Sequence, residues 1–196
     1  MTDEIKKAIT VVRQGGIIIY PTDTAFGIGC RADDETVIQK LFSIRQRPAS
    51  QAMPILFDSI DLVKKYVDFI PESVEPLLAK YWPGALTVIL MAKLNKIPSL
   101  ALGGGLSIGC RIPDHEVPIG IIDGLGVPII GSSANFAGEP TPYSYSEVDP
   151  KLMSLVDYVV PGVTFAHKES TVIDCTQKQW KILREGAIRL EVKNLD

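Results

Sequence analysis

Arg45 and Arg47 stand two positions apart, just before Pro48, and chemistry on this chain is best sought there first. A guanidinium is a planar fork of N–H donors that matches the oxygens of phosphate and carboxylate. Arg31, Arg111 and Arg184 also lie near glycine, proline or cysteine, at the ends of expected elements. Three polar stretches could act with them. Thr22-Asp23-Thr24 follows one apolar run, Gly131-Ser132-Ser133-Ala134-Asn135 follows another, and Glu169-Ser170-Thr171 leads into a third. Loops at strand ends are where α/β sheets place ligands, and hydroxyls, amides and backbone N–H groups can hold phosphate oxygens or a ribose. Each feature has a plainer reading: arginines snorkel or form structural ion pairs, and serines and threonines shape ordinary turns. Taken together they describe a candidate site for a small, multiply charged anion.

Other chemistries find less support. The only histidines, His115 and His167, fall in polar loop-like settings, and no cysteine has an evident base partner for nucleophilic catalysis. Asp23, Asp114, Asp123 and Asp174 lack the spacing of a metal cage. No Gly-Lys-Ser/Thr loop and no Gly-x-Gly-x-x-Gly is present. What remains is catalysis by positioning and charge neutralisation, which is what transfer at phosphorus requires.

These residues need elements to carry them. Ile17 to Tyr20 reads as a buried strand broken by Pro21, and Phe26 to Gly29 as a glycine-spaced turn. Asp33 or Asp34 can cap a helix whose inward stripe is Val37, Ile38, Leu41 and Phe42. One more turn brings that stripe to Arg45, whose guanidinium must then reach water, a carboxylate or an anion. A first helix presents Ile5, Ala8, Ile9 and Val12 and stops at Gly15-Gly16. Further strands are expected at Met53–Phe57, Leu86–Met91, Ser107–Ile112, Val127–Ile130, Tyr158–Val160, Ser170–Asp174 and Trp180–Leu183. Helices are expected at Glu72–Tyr81, Val117–Leu125 and Val148–Val156, with loops at Lys93–Gly105 and Glu139–Tyr145. Interleaved strands and helices argue for an α/β domain with a mixed sheet.

With 196 residues, 46% hydrophobic and 22% charged, the chain fits one globular domain. No apolar run is long enough for a bilayer, and the amino terminus is acidic rather than a basic secretory start. Three scattered cysteines, Cys30, Cys110 and Cys175, fit a reducing, cytoplasmic setting. A net charge of −3 argues against broad capture of nucleic acid, so any RNA contact needs a local patch.

In chain order, Tyr20-Pro21-Thr22-Asp23-Thr24-Ala25-Phe26-Gly27-Ile28-Gly29, Arg45-Gln46-Arg47-Pro48, Trp82-Pro83-Gly84-Ala85-Leu86-Thr87, Arg111-Ile112-Pro113-Asp114, Ser132-Ser133-Ala134-Asn135, Glu169-Ser170-Thr171-Val172-Ile173-Asp174 and Leu183-Arg184-Glu185-Gly186 resemble the motifs of the YrdC-like family. Its best-known members are threonylcarbamoyl-adenylate synthases. The resemblance implies one domain over residues 1–196, a twisted mixed β-sheet flanked by helices around a concave, positively charged cavity. It implies a nucleotidyl transfer in which L-threonine, bicarbonate and ATP give threonylcarbamoyl-adenylate and pyrophosphate, for the N6-threonylcarbamoyl modification of tRNA. It places Arg45, Arg47, Ser133 and Asn135 in the catalytic set and Thr22, Thr24 and Arg111 at the threonine end. Ser107, Thr141, Ser170 and Arg184 would lie along the nucleotide together with Arg45, Arg47 and Ser133. Magnesium would arrive on the ATP phosphates rather than in a protein cage. A downstream threonylcarbamoyl-transferase would take the product, with tRNA or double-stranded RNA as a further partner. The chain resembles the short form of the family.

Two departures stand out. The family's usual Lys-x-Arg reads Arg45-x-Arg47, and these cations are not interchangeable where geometry is tight. Spacing between Pro48 and Pro54 is longer than the family pattern, with Met53 where a polar residue often sits. They motivate an alternative, a catalytically weak or inactive paralogue that binds structured RNA or ribosomes.

Overall fold

In the computed structural model, which describes residues 1–190, the first helix, α1 (Asp3–Arg13), is capped by the Thr2 hydroxyl, which accepts from the Ile5 N–H at 3.3 Å. Its buried face is the expected Ile5, Ala8, Ile9 and Val12. The chain then enters β1 (Ile18–Pro21), turns through Thr22–Ala25, and returns in β2 (Phe26–Gly29), antiparallel to β1. Phe26–Gly29 is therefore a strand and not the turn its glycines suggested. Those glycines serve close approach instead: a Cβ at Gly29 would lie 1.9 Å from the Ile130 carbonyl oxygen.

Asp34, rather than Asp33, caps α2 (Glu35–Arg45), accepting from the Thr36 and Val37 N–H groups, while Asp33 pairs with Arg31. After β3 (Ile55–Leu56), the Ser59 hydroxyl caps α3 (Ile60–Tyr66). A short 3-10 turn at Glu72–Val74 leads into α4 (Glu75–Tyr81). Then follow β4 (Leu86–Met91), β5 (Ser107–Arg111) and α5 (Glu116–Leu125), the last packed on α1. That packing requires Gly124, where a Cβ would meet the Ile9 side chain at 2.4 Å.

β6 (Ile129–Ile130) and β7 (Ser132–Ser133) are separated only by Gly131, and they belong to different sheets. The expected helix over Val148–Val156 shrinks to α6 (Pro150–Met153), started by Pro150 and the Asp149 cap. β8 (Tyr158–Val159), β9 (Thr171–Asp174) and β10 (Lys181–Arg184) complete the set.

The expected single mixed sheet is two mixed sheets. One has four strands in the order β7-β2-β1-β8, and the other six in the order β10-β9-β4-β5-β3-β6. Both combine parallel and antiparallel pairs: β1 with β8, β3 with β5 and β4 with β9 are parallel. Covered strands read as continuous apolar runs, and Ile17, Ile18 and Ile19 are wholly buried. Each such side chain contributes about 1.5–3 kcal/mol relative to an exposed one. Cys30, Cys110 and Cys175 are buried free thiols, their pKa values raised by burial. Among the described residues no helix is long and apolar enough to cross a membrane.

Candidate anion-binding active site

Between the two sheets lies a cavity of about 390 Å³. The four-stranded sheet contributes Tyr20, Gly27 and Ser133, and the six-stranded sheet contributes Thr87, Ser107 and Arg111. The β1–β2 turn adds Thr22 and Thr24. Thr141, Ser170 and Arg184 line it from the carboxyl-terminal half, and Arg47 from the segment after α2. Residues more than a hundred positions apart in the chain therefore share one concavity.

The β1–β2 turn is built around the Thr22 hydroxyl. It donates to the Ala25 carbonyl at 2.7 Å and accepts from the Thr24 and Ala25 N–H groups at 3.2 Å. That turn aims Asp23 at Arg111, whose Nη2 reaches the carboxylate at 2.6 Å. Arg111 Nη1 donates to the Thr24 hydroxyl at 2.8 Å, and Nε to the Gly84 carbonyl at 3.0 Å. Burial lowers the Arg111 pKa, and the Asp23 charge offsets part of that effect. Arg184 donates from Nη1 to Glu169 at 2.8 Å and from Nη2 to the Ser170 hydroxyl at 3.1 Å. Glu169 also accepts from the Thr141 hydroxyl at 2.9 Å, and Ser170 shares a 2.8 Å hydrogen bond with Thr87.

At the other arginine pair the surroundings differ. Helix α2 ends at Arg45, and Gln46 takes the left-handed conformation (φ 53°), reversing the chain before Arg47. Arg47 faces the cavity, donating to the Ala52 carbonyl at 2.9 Å, while its Nε is buried without a hydrogen-bond partner among the described residues. Arg45 does not line the cavity. It is 2% exposed and lies behind the Ser132–Asn135 segment, bonded to Ser132, Ser133 and Asn135. Asn135 stays outside the lining too, its amide facing Arg45 and the Glu139 carbonyl. Burial, followed by the neighbouring Arg47 charge, lowers the Arg45 pKa to about 10; burial also lowers that of Arg47.

Arg45 and Asn135 are thus set back, while Arg47, Ser133, Thr22, Thr24 and Arg111 reach the cavity, as do Ser107, Thr141, Ser170 and Arg184. Three pairings escaped the sequence: Asp23 as counter-ion of Arg111, Glu169 as counter-ion of Arg184, and Thr87 with Ser170. Asp23 and Glu169 stood in the polar stretches Thr22–Thr24 and Glu169–Thr171, and Thr87 was a lone hydroxyl in the apolar run Leu86–Met91, but nothing local marked which partner each would take. Met53 lines the cavity as a buried apolar side chain. Among the described residues Glu169 is the one carboxylate on the lining, against three guanidiniums, and no cluster of three or more His, Cys, Asp or Glu is arranged to hold a metal.

Residues 10–186 match the Sua5/YciO/YrdC family model, described as "Telomere recombination". The chain belongs to this family. The threonylcarbamoyl-AMP synthase of Xanthomonas euvesicatoria pv. vesicatoria is 34% identical over 180 residues, covering 88% of this chain and 94% of the relative. That of Pyrococcus abyssi is 33% identical over 189 residues, covering 96% of this chain but only 55% of the relative. The chain therefore spans about half the length of some Sua5/YciO/YrdC relatives and nearly all of others. The P. abyssi Sua5 structure complexed with L-threonine superposes with a TM-score of 0.89 at 32% identity, covering 95% of this chain and 55% of that one.

Proposed function

We propose that this chain makes threonylcarbamoyl-adenylate and pyrophosphate from L-threonine, bicarbonate and ATP. Support comes from its relatives, two of them threonylcarbamoyl-AMP synthases and one a Sua5 protein complexed with L-threonine. One observation carries the reading to this chain: a single cavity gathers Thr22, Thr24, Arg47, Arg111, Ser133 and Arg184 from separate segments. ATP, bicarbonate and the threonine carboxylate are all anions, so a site for them must concentrate donors and positive charge.

The threonine amine attacks bicarbonate carbon and water leaves, giving a carbamate. A carbamate oxygen then attacks the α-phosphorus of ATP, and the bond from that phosphorus to the β-phosphate bridging oxygen breaks. Pyrophosphate carries away the charge of the leaving group. No step needs a covalent enzyme intermediate. The protein's share is to hold the reacting groups in line and meet the developing charge with preorganised donors. Arg111, with Thr22 and Thr24 beside it, suits the threonine end. Arg47, Ser133, Ser170 and Arg184 suit the nucleotide, and magnesium enters with its phosphates as part of the substrate.

The test is pyrophosphate release by purified protein given ATP, magnesium and bicarbonate, with and without L-threonine. Release that requires threonine is expected. Release indifferent to threonine, or none from folded protein, overturns the reading. Tight, salt-sensitive binding of structured RNA without turnover would mark the RNA-binding alternative instead.

A further inference from the structure

We infer that Arg45 is a positioning residue, which clamps the Ser132–Asn135 segment against the cavity and leaves Arg47 as the guanidinium that meets the anion. This rests on the proposed synthase reading for its chemistry, though not for its geometry. Arg45 Nε donates to the Asn135 carbonyl at 3.0 Å, Nη1 to the Ser132 hydroxyl, and Nη2 to the Asn135 side-chain oxygen at 2.9 Å and the Ser133 hydroxyl at 3.4 Å. A guanidinium has five N–H donors, so four of these are spent on one short segment. A fork so committed has no paired donors left for a bidentate grip on phosphate. The backbone closes the clamp from the other side, where the Ala137 N–H donates to the Arg45 carbonyl at 2.9 Å.

The clamp also fixes how the segment presents its groups. Asn135 Oδ1 receives Arg45 Nη2 and the Ser133 hydroxyl, the latter at 2.6 Å, so the amide must turn its NH₂ toward the Glu139 carbonyl. The Ala134 N–H donates to the Phe26 carbonyl at 2.9 Å, tying the same segment to β2. Ser132 and Ser133 are then the members that face the cavity. Among the described residues every acceptor of Arg45 is neutral, so its charge remains behind the serines that an anion would touch. The left-handed Gln46 separates the two tasks: one arginine goes behind the wall and the next emerges in front of it.

The experiment reads pyrophosphate affinity by calorimetry for Arg45→Lys, both in the wild-type background and in a Ser132→Ala/Ser133→Ala background. Lysine keeps the charge and removes the planar fork, which separates geometry from electrostatics. A clamp acting through the serines is expected to cost about tenfold in affinity in the first background and under about twofold in the second, because residues that act as a unit do not add. An equal loss in both backgrounds would make Arg45 a direct ligand and overturn the inference. No loss in the wild-type background would also overturn it, whether or not the melting temperature falls, since a merely structural arginine would change stability alone. Should the serine double variant fail to fold, Asn135→Ala provides the second background with the same expected outcomes. Threonine-dependent turnover of the wild type is measured alongside. Its absence counts against the synthase reading, whereas the affinity cycle alone decides the role of Arg45.

Discussion

On the six-stranded sheet, Arg111 is held by the Asp23 carboxylate at 2.6 Å and Arg184 by Glu169 at 2.8 Å. At the end of α2, Arg45 and Arg47 have only neutral oxygens as partners among the described residues. The first pair of arginines is neutralised during folding and preorganised before any ligand arrives. The second carries charge that burial makes unfavourable, with Arg47 on the lining, where an incoming anion offsets it, and Arg45 behind the wall. This difference divides the cavity into a part built for geometry and a part built for attraction. It also separates two kinds of experiment, since one part should report on stability and the other on binding.

Arg111→Ala should have the largest effect on stability. Asp23 is buried, and removing its partner strands a carboxylate, which costs about 3–5 kcal/mol. Denaturant unfolding should show that loss, together with a collapse of turnover. A loss below about 1 kcal/mol would mean the pair is dispensable to folding. Arg47→Ala should do the reverse. Among the described residues its guanidinium makes one hydrogen bond, at 2.9 Å to Ala52. Stability should therefore shift by about 1 kcal/mol or less. Pyrophosphate affinity should fall about ten- to a hundredfold, the equivalent of one or two charge-assisted hydrogen bonds.

Ligand protection sharpens the contrast. Pyrophosphate at a hundred times its dissociation constant should stabilise the wild type by about 2.7 kcal/mol, a rise of roughly 5–11 °C in melting temperature for a chain of this size. Arg111→Ala should keep most of that rise from a lower starting point, whereas Arg47→Ala, with its ten- to hundredfold weaker affinity, should lose about half to five-sixths of it at the same concentration. If the two variants exchange these behaviours, charge on the six-stranded sheet, not at the end of α2, attracts the anion.

How far this division could be read from sequence depends on range. Helix α2 was legible through the stripe Val37, Ile38, Leu41 and Phe42, because helical periodicity is local. Its extension placed Arg45 at the end of the buried stripe, but where water, a carboxylate or an anion was expected its partners are neutral hydroxyl and amide oxygens. The partners were not legible: Asn135 lies 90 positions away, and Asp23 lies 88 from Arg111. The turn at Gln46 was equally hidden, since a left-handed glutamine has no compositional mark of the kind glycine gives. Phe26–Gly29 was misread because glycine marks both turns and strands that another backbone crosses closely, and only the pairing partner tells them apart. The second sheet escaped for a related reason. A two-residue strand such as Ser132–Ser133 is defined by its neighbour β2, and its own hydroxyls read as loop.

Glu169→Gln tests the weaker of the neutralised pairs. Both side chains are substantially exposed, 43% for Arg184 and 36% for Glu169, so the pair contributes about 0–1 kcal/mol. Stability should scarcely move. Arg184 would instead join Arg47 as an unpaired cation on the lining, and pyrophosphate affinity should rise about two- to threefold at low salt, the gain vanishing as salt screens it. Unchanged affinity at low ionic strength would show that neutralisation by Glu169 does not limit attraction in this part of the cavity.

The Arg31–Asp33 pair, outside the cavity lining, supplies the reference for all of these. Hydrogen bonding from Arg31 at 2.6 Å lowers the Asp33 pKa, with burial opposing and the Arg31 charge adding to the effect. A carboxylate whose folded pKa is depressed contributes stability above its unfolded value, about 3.9, and loses it as pH falls through the lower folded value. Wild-type protein should therefore lose slightly more stability than Asp33→Asn on acidification below about pH 4. The difference should stay below about 1 kcal/mol, since both side chains are 30% exposed. At neutral pH the substitution should leave pyrophosphate affinity unchanged. A change there would mean that charge outside the cavity also tunes its affinity, and Arg47 could no longer be treated as the main source of attraction.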